Sequence, residues 1–270
     1  MKALFDAVLE RPDDLRVRGV LADALLEAGD PRGEFIALQL ARHRSGERAT
    51  PREGELLAEH RHAWLGRLAG FVHQPKFERG FLDSAQVRRE TELPAAIERF
   101  EEWATVSHLD VRFLPEPLEI RLLGAPIMRA LREVTGISLT GLVAISKARG
   151  PLPWRALSVQ GAFALTAMLR CPLPLLRSLT FFDGLSPQRL RELLESALGS
   201  QLEHLTFKVM KAAELPELLT VAVSSSLKTM HGSSTGGEFT FDIAPRTLRA
   251  PAKFFAGHAL ELPWLKRITS

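Results

Sequence analysis

The chain has no asparagine, no tyrosine, a single cysteine, and no uninterrupted apolar run of membrane-spanning length. One cysteine rules out an intramolecular disulfide and any thiolate cluster for zinc or an iron–sulfur centre. Cys171 stands in the apolar string MLRCPLPLL and is expected to be a small buried side chain, not a nucleophile. Without ~20 consecutive apolar residues, no helix is expected to span a bilayer. The opening stretch, MKALFDAVLERPDD, is broken by Asp6 and Glu10 and lacks the apolar core of a signal peptide, so the expected compartment is the cytoplasm. There is no G-x-x-x-x-G-K-[ST] loop and no G-x-G-x-x-G following a strand, and so no support for a nucleotide site. His60 and His62 are two apart, pointing ~200° away from each other on a helix, and no H-x-x-x-H pair occurs. No metal and no cofactor are expected.

Charge of one sign is also scarce. Lys and Arg total 35 against 32 Asp and Glu, a net +3. Residues 1–90 carry 15 of each sign, and the remainder 20 against 17, so the excess is thinly spread. A phosphate-binding face needs basic residues gathered on one surface, whereas RVRGV (16–20) and ARHRSGER (41–48) sit among carboxylates. Nucleic-acid binding through dispersed basic residues is therefore the alternative reading, not the leading one.

What is present begins with helical periodicity. Leu4 and Val8, then Val17, Val20, Leu21, Ala24 and Leu25, predict helices over 3–10 and 13–28, with Asp13 as the cap of the second and Gly29 as its stop. In GDPRGEFIALQLARHR, Asp30 is placed to cap a third helix. Pro31 takes its first position, Glu34 faces its positive end, and Arg42 and Arg44 its negative end. A fourth helix is predicted over roughly 53–69.

The string DDLRVRGVLADALLEAGDPRGEFIALQLARHR (13–44) resembles the opening domain of a bacterial family known as the repeat-companion domain. The resemblance rests on Asp23, Gly29, Asp30, Pro31, Arg32, Gly33, Glu34, Phe35, Ile36, Leu38 and Gln39 falling in order, with a weaker continuation to residue 81. Leu21 and Ala24 stand where that family often has aromatic residues. The resemblance implies that leucine-rich-type repeats follow; it implies no general activity. Asp23, Asp30, Pro31, Arg32, Gly33 and Glu34 read as a structural motif of caps and pairs, with partner docking as the alternative for Asp30 and Arg32.

The second feature is a recurring string with apolar positions 1, 4 and, usually, 6. It starts at Leu82, Val106, Val134, Trp154, Leu176, Leu202, Leu227, Pro245 and Leu265, in steps of 24, 28, 20, 22, 26, 25, 18 and 20 residues. Leucine-rich repeats have a period of 20–29 and an L-x-x-L-x-L core. Each unit would place one strand with positions 4 and 6 inward and a helix or turn behind it. Helices are predicted at 91–104, 162–170 and 186–200, the last capped by Ser186 and ended by Gly199. The Asn or Cys that usually follows the core is absent; Glu90, Leu114, Leu142, Ala162, Gly184 and Met210 occupy those places, so irregular turns are expected. The expected fold is α/β: a small helical capping domain at 1–77 and a leucine-rich-repeat-like solenoid at 78–270.

One string matches the hydrolase elbow G-x-S-x-G, namely GSSTG at 232–236, with Asp242 and His258 following in hydrolase order. The elbow needs a strand, a sharp turn and then a helix. Here GEFTFDIAP reads as a strand, so a hairpin or flexible loop is expected and a hydrolase through Ser234 is the least favoured function. What remains is the outward strand face. Positions 2, 3 and 5 place His108, Asp110, Arg155, Ser158, Arg177, Thr180, Glu203, Thr206, Lys228, His231 and Arg249 there, alongside Ser138, Arg246, Lys266 and Thr269. A ladder of small hydroxyls bordered by long charges suits a protein partner of unknown identity. The expected function is a non-catalytic protein-interaction module.

Overall fold

The computed structural model describes every residue except 89–93, 95, 161–164, 210, 235, 257–259 and 270, and only the backbone of residue 212. The chain is mixed α/β, with a helical N-terminal region and a long, open, mostly parallel sheet. It divides into two compact units, Met1–Leu131 and Arg132–Ser270.

The first unit opens with four helices: α1 (Lys2–Glu10), α2 (Leu15–Glu27), α3 (Pro31–Ser45) and α4 (Pro51–Leu65). The α2 cap is Asp14, whose carboxylate accepts from the Arg16 and Val17 amides, and not the expected Asp13. One residue separates the two carboxylates, and only Asp14 precedes the first helical residue directly. Asp30 caps α3 by accepting from the Arg32 amide at 2.8 Å, with Pro31 at the first position, as expected. Thr50 and Glu53 close α4 with a reciprocal capping box. Val8, Leu21, Ala22, Leu25, Ile36 and Leu40 share a buried cluster with Phe81.

Phe81 belongs to a hairpin that the sequence reading does not anticipate: β1 (Val72–Glu78) pairs antiparallel with β2 (Phe81–Val87). Two buried polar side chains join hairpin to helices. Gln39 donates to the Phe77 carbonyl at 3.1 Å and accepts from the Gly80 amide at 2.8 Å. Arg18 donates to the carbonyls of Pro12 and Arg79 at 2.7 Å each. β2 then pairs in parallel with β3 (His108–Asp110), which precedes α5 (Glu116–Leu123). Between β2 and β3 the expected helix over 91–104 is, where described, two short 3₁₀ turns at Ile97–Arg99 and Glu101–Thr105. Trp103 is buried there and donates its indole N–H to the Ile97 carbonyl at 2.8 Å, a bond that holds the chain in tight turns instead of a continuous helix.

The second unit alternates strands and helices. β4 (Glu133–Ser138), α6 (Leu139–Arg149), β5 (Ala156–Gln160), α7 (Leu165–Met168), β6 (Ser178–Gly184), α8 (Pro187–Leu194), β7 (His204–Lys208), α9 (Leu215–Val223) and β8 (Thr229–Ser234) follow in order, and β4 to β8 run parallel. Leu157 pairs with Leu179, Leu179 with Leu205, and Leu205 with Met230, all fully buried. Each such side chain removed from water contributes about 1.5–3 kcal/mol. One row behind, Trp154, Leu176, Leu202 and Leu227 are also buried.

Three expectations are corrected here. Val134 pairs with Leu157, so it holds position 4 of its string, not position 1; that string begins at buried Leu131. The register slips once between Thr135 and Ile137, where Gly136 adopts φ +79° in a bulge that L side chains disfavour. Helix α8 ends at Leu194, and a separate 3₁₀ turn covers Gly199–Gln201, because the Ser196 hydroxyl bonds back to the Leu193 carbonyl at 2.6 Å. The last units depart most. β9 (Gly237–Asp242) returns antiparallel to both β8 and β10 (Thr247–Ala250), followed by α10 (Ala252–Ala256) and β11 (Lys266–Thr269). Leu248 pairs with Arg267, so β11 is displaced by one residue from the expected alignment. Ile268, expected inward, is 44% exposed. Glu90, Ala162, Met210 and Ser270 lie outside the described residues.

Gly232 has no side chain at an inward position for a physical reason. A Cβ there would lie 2.6 Å from the Phe239 ring and 2.9 Å from the Phe207 carbonyl, so Phe239, reaching across from β9, fills the space. Gly232→Ala is accordingly expected to lower the unfolding free energy by about 1–3 kcal/mol, read from urea denaturation.

Gly33 makes a second close approach. An added Cβ would stand 2.5 Å from the Leu26 amide nitrogen and 2.8 Å from the Ala22 carbonyl, both backbone atoms of α2 that cannot yield. Gly33→Ala is expected to cost about 1–3 kcal/mol. Gly54→Ala, at an exposed α4 position with open space around the new methyl, is expected to gain about 0.5–1 kcal/mol. Equal midpoints for these two variants in denaturant would contradict the assignment.

Candidate interaction face

Alternation along the strands of the second unit sends every residue between two buried ones to the opposite side of the sheet. The pairing strings these outward residues into one row: Thr135, Ser158, Thr180, Thr206, His231, Thr240 and Arg249. The structure thus brings together Ser158, Thr180, Thr206, His231 and Arg249, all predicted from sequence. Ser138, predicted beside Ser158, is replaced there by Thr135 because of the Gly136 bulge. Its hydroxyl instead caps α6 by accepting from the Gly141 amide at 3.0 Å. Thr240 was missed, although the alternation in GEFTFD was legible, because β9 lies outside the recurring string. The displacement of β11 sets Ile268, not Thr269, beside Arg249.

A second row borders the first. The amide of Arg177 donates to the Arg155 carbonyl, Glu203 to Arg177, and Lys228 to Glu203, each at 2.8 Å. Glu203 stands between two of these cations, 2.6 Å from the Lys228 ammonium and 3.9 Å from Arg177. The Lys228 hydrogen bond holds the Glu203 carboxyl below its ordinary pKa. Arg249 pairs with Asp242 at 2.9 Å. Arg246 stacks 5.9 Å over the Trp264 ring, and Lys266 is exposed at the start of β11.

Between the rows and the hairpin β8–β9 the face is concave. A groove of about 750 Å³ is bounded by Thr180, Thr206, His231, Thr240 and Arg249, with Phe182 and Lys208 at one end and Glu238 on the β9 side. Phe181, Phe207 and Phe239 line it only from strands whose alternation turns their buried rings to the opposite side of the sheet. Phe182, 42% exposed, escaped the sequence reading because it falls one residue beyond the string. His231 Nδ1 lies 2.9 Å from the Thr240 hydroxyl, and His204 Nδ1 2.7 Å from that of Thr229.

His108 and Asp110 lie on β3 of the first unit. Asp110 accepts from Gln86 at 3.1 Å and from Arg112 at 2.6 Å, a bond that raises the Arg112 pKa. Of the motif residues, Glu34 pairs with Arg52 at 2.8 Å, which lowers its pKa, and Asp23 is exposed on α2. Ser234 ends β8 and pairs with Gly237 of β9, the strand–turn–strand context expected for GSSTG. Asp242 faces Arg249, and His258 lies outside the described residues. Cys171 is buried, as expected, with its sulfur 3.4 Å from the Ser146 hydroxyl. Among the described residues, no group of three His, Cys, Asp or Glu side chains is arranged to hold a metal ion, and no helix is long and apolar enough to cross a membrane. No family model, no curated protein and no solved structure matches the chain.

Removing the ammonium from the second row isolates its effect on the carboxylate. In Lys228→Met, the Glu203 carboxyl is expected to titrate at higher pH than in the parent chain, as followed by carbon NMR. An unchanged midpoint would show that the Lys228–Glu203 contact is not formed in solution.

Proposed function

We propose that this chain is a non-catalytic protein-interaction module of the cytoplasm. On this reading β2 to β11 belong to a short leucine-rich-repeat-like solenoid, and residues 13–44 are a repeat-companion domain. The bound partner is a protein segment lying across β6 to β10 in the groove lined by Thr180, Thr206, His231 and Thr240. One observation carries the reading: the in-register outward row from Thr135 to Arg249, whose small hydroxyls leave a groove along β6 to β10. Five strands about 4.8 Å apart present a ledge of roughly 20 Å, the width of a peptide segment of several residues. Backbone amides of such a segment find hydroxyl partners along the row, and an apolar side chain finds exposed Phe182 at the end of the groove.

The charges favour protein over nucleic acid. Glu203 stands between Arg177 and Lys228, and Asp242 holds Arg249. A phosphate backbone is bound by basic residues that release counterions, and cations already facing carboxylates contribute little of that.

A photo-reactive phenylalanine at Thr206 is expected to cross-link a protein in cells expressing the full chain, whereas the same residue at Gln188, exposed on α8, does not. Adding Thr180→Arg, which fills the groove, is expected to abolish the adduct. Adducts of equal yield from both sites, or a nuclease-sensitive adduct at Thr206, would refute the proposal.

A further inference from the structure

The first unit contains a cavity of about 370 Å³ enclosed by α1, α3, α4, β2 and the 3₁₀ turn at Glu101–Thr105. Phe5, Leu9, Trp64, Phe81 and Leu82 form its apolar walls, and Arg32 and Lys2 are the cations among its lining residues. The volume falls in the range of small-molecule sites, which combine apolar walls with a few fixed polar groups.

Arg18 is fully buried and Arg32 partly so, and the contrast between them is informative. Burial pushes both guanidinium pKa values down to about 10, so titration does not separate them. Their partners do. Arg18 places its donors on backbone carbonyls: Pro12 accepts twice, at 3.0 and 2.7 Å, and Arg79 once, at 2.7 Å. It is a brace, complete as it stands. Arg32 lies over two rings, 4.6 Å from Phe81 and 5.3 Å from Phe5. Its one side-chain hydrogen bond among the described residues is a 3.5 Å contact from Nη2 to the Gly80 carbonyl, and its Nε is enclosed without any acceptor. A guanidinium carries five N–H donors in a planar fork that matches a carboxylate, and leaving such donors unpaired out of water is costly. The ring contacts of Arg32 and its Gly80 bond leave the Nε donor without a partner.

We propose that this cavity binds a small monocarboxylate with an aromatic or aliphatic body, its carboxylate on the Arg32 guanidinium and its body against Phe5, Trp64 and Phe81. The surroundings limit the charge the site takes. Asp6, Glu101 and Glu102 also line the cavity, offset by Lys2 and by Arg67, which binds Glu102 at 3.3 Å. A dianion would meet these acids, and a neutral molecule would leave Arg32 unpaired. This site is independent of the strand face, since all of its residues belong to the first unit.

The test is a titration of the full chain with 3-phenylpropionate and with hexanoate, read on the Arg32 Nε–H signal by proton–nitrogen NMR and by thermal denaturation. Both acids are expected to move that signal and raise the melting temperature, while 3-phenylpropanol and succinate bind at least about tenfold more weakly. Arg32→Lys, which keeps the charge and loses the fork, is expected to weaken both acids by about tenfold or more. Should that variant not fold, Leu9→Trp, which fills the cavity and leaves Arg32 in place, is expected to abolish binding. Equal binding of the alcohol or of succinate, no movement of the Arg32 signal at millimolar acid, or full binding by Leu9→Trp would each overturn the proposal.

Discussion

Parallel pairing in register is the constraint on which the second unit depends. Once Leu157 lies beside Leu179 and Leu179 beside Leu205, every other residue on those strands has its side of the sheet assigned. A slip of one residue would exchange the buried row for the outward one. The inward side holds the register, because exposing Leu179 or Leu205 costs more than any polar contact on the other face repays. The ladder of amides through Arg155, Arg177, Glu203 and Lys228 repeats the same spacing three residues before the outward row, so these charged residues are aligned in one row by the burial behind them.

The first unit is organised differently, around side chains that brace helix to hairpin. Most of the GDPRGEF string has a structural reason. Asp30 caps, Pro31 opens the helix, Gly33 permits close contact with α2, and Phe35 stacks on Trp64 at 4.7 Å. Gln39, one turn further on, holds both sides of the β1–β2 connection. Arg32 is the residue in this string for which packing alone gives no account, and it is also the one that lines a cavity.

Much of this was legible in the chain, for identifiable reasons. Helices α1 to α4 announce themselves through apolar spacing, proline at first positions and capping residues. The strands β5, β6 and β7 each carry the same pattern of apolar and small polar residues, and they stay in register through Leu157, Leu179 and Leu205, the β6–β7 pairing becoming irregular only after Thr180. What was hidden involves backbone detail that residue types do not encode. The alignment at Val134 fails because one glycine bulges. β1 reads as a loop since Pro75 interrupts VHQPKFE and Gln74 takes φ +48°, a conformation that strands avoid. β11 slips by one residue because none of its side chains is buried to hold it in place. The groove was only half visible, since Phe239 and Thr240 enter it from a strand that interrupts the series.

That interrupting strand has a consequence for how the chain reaches its fold. Each parallel pair from β4 to β8 closes a loop of more than twenty residues before any contact rewards it, whereas β8 and β9 meet across a tight turn between Ser234 and Gly237. The difference in closure entropy is roughly 2 kcal/mol per pair, so the hairpin is the cheapest nucleus in the second unit. Met230 and Phe241, paired across it, stand at the edge beside which β7 pairs with β8.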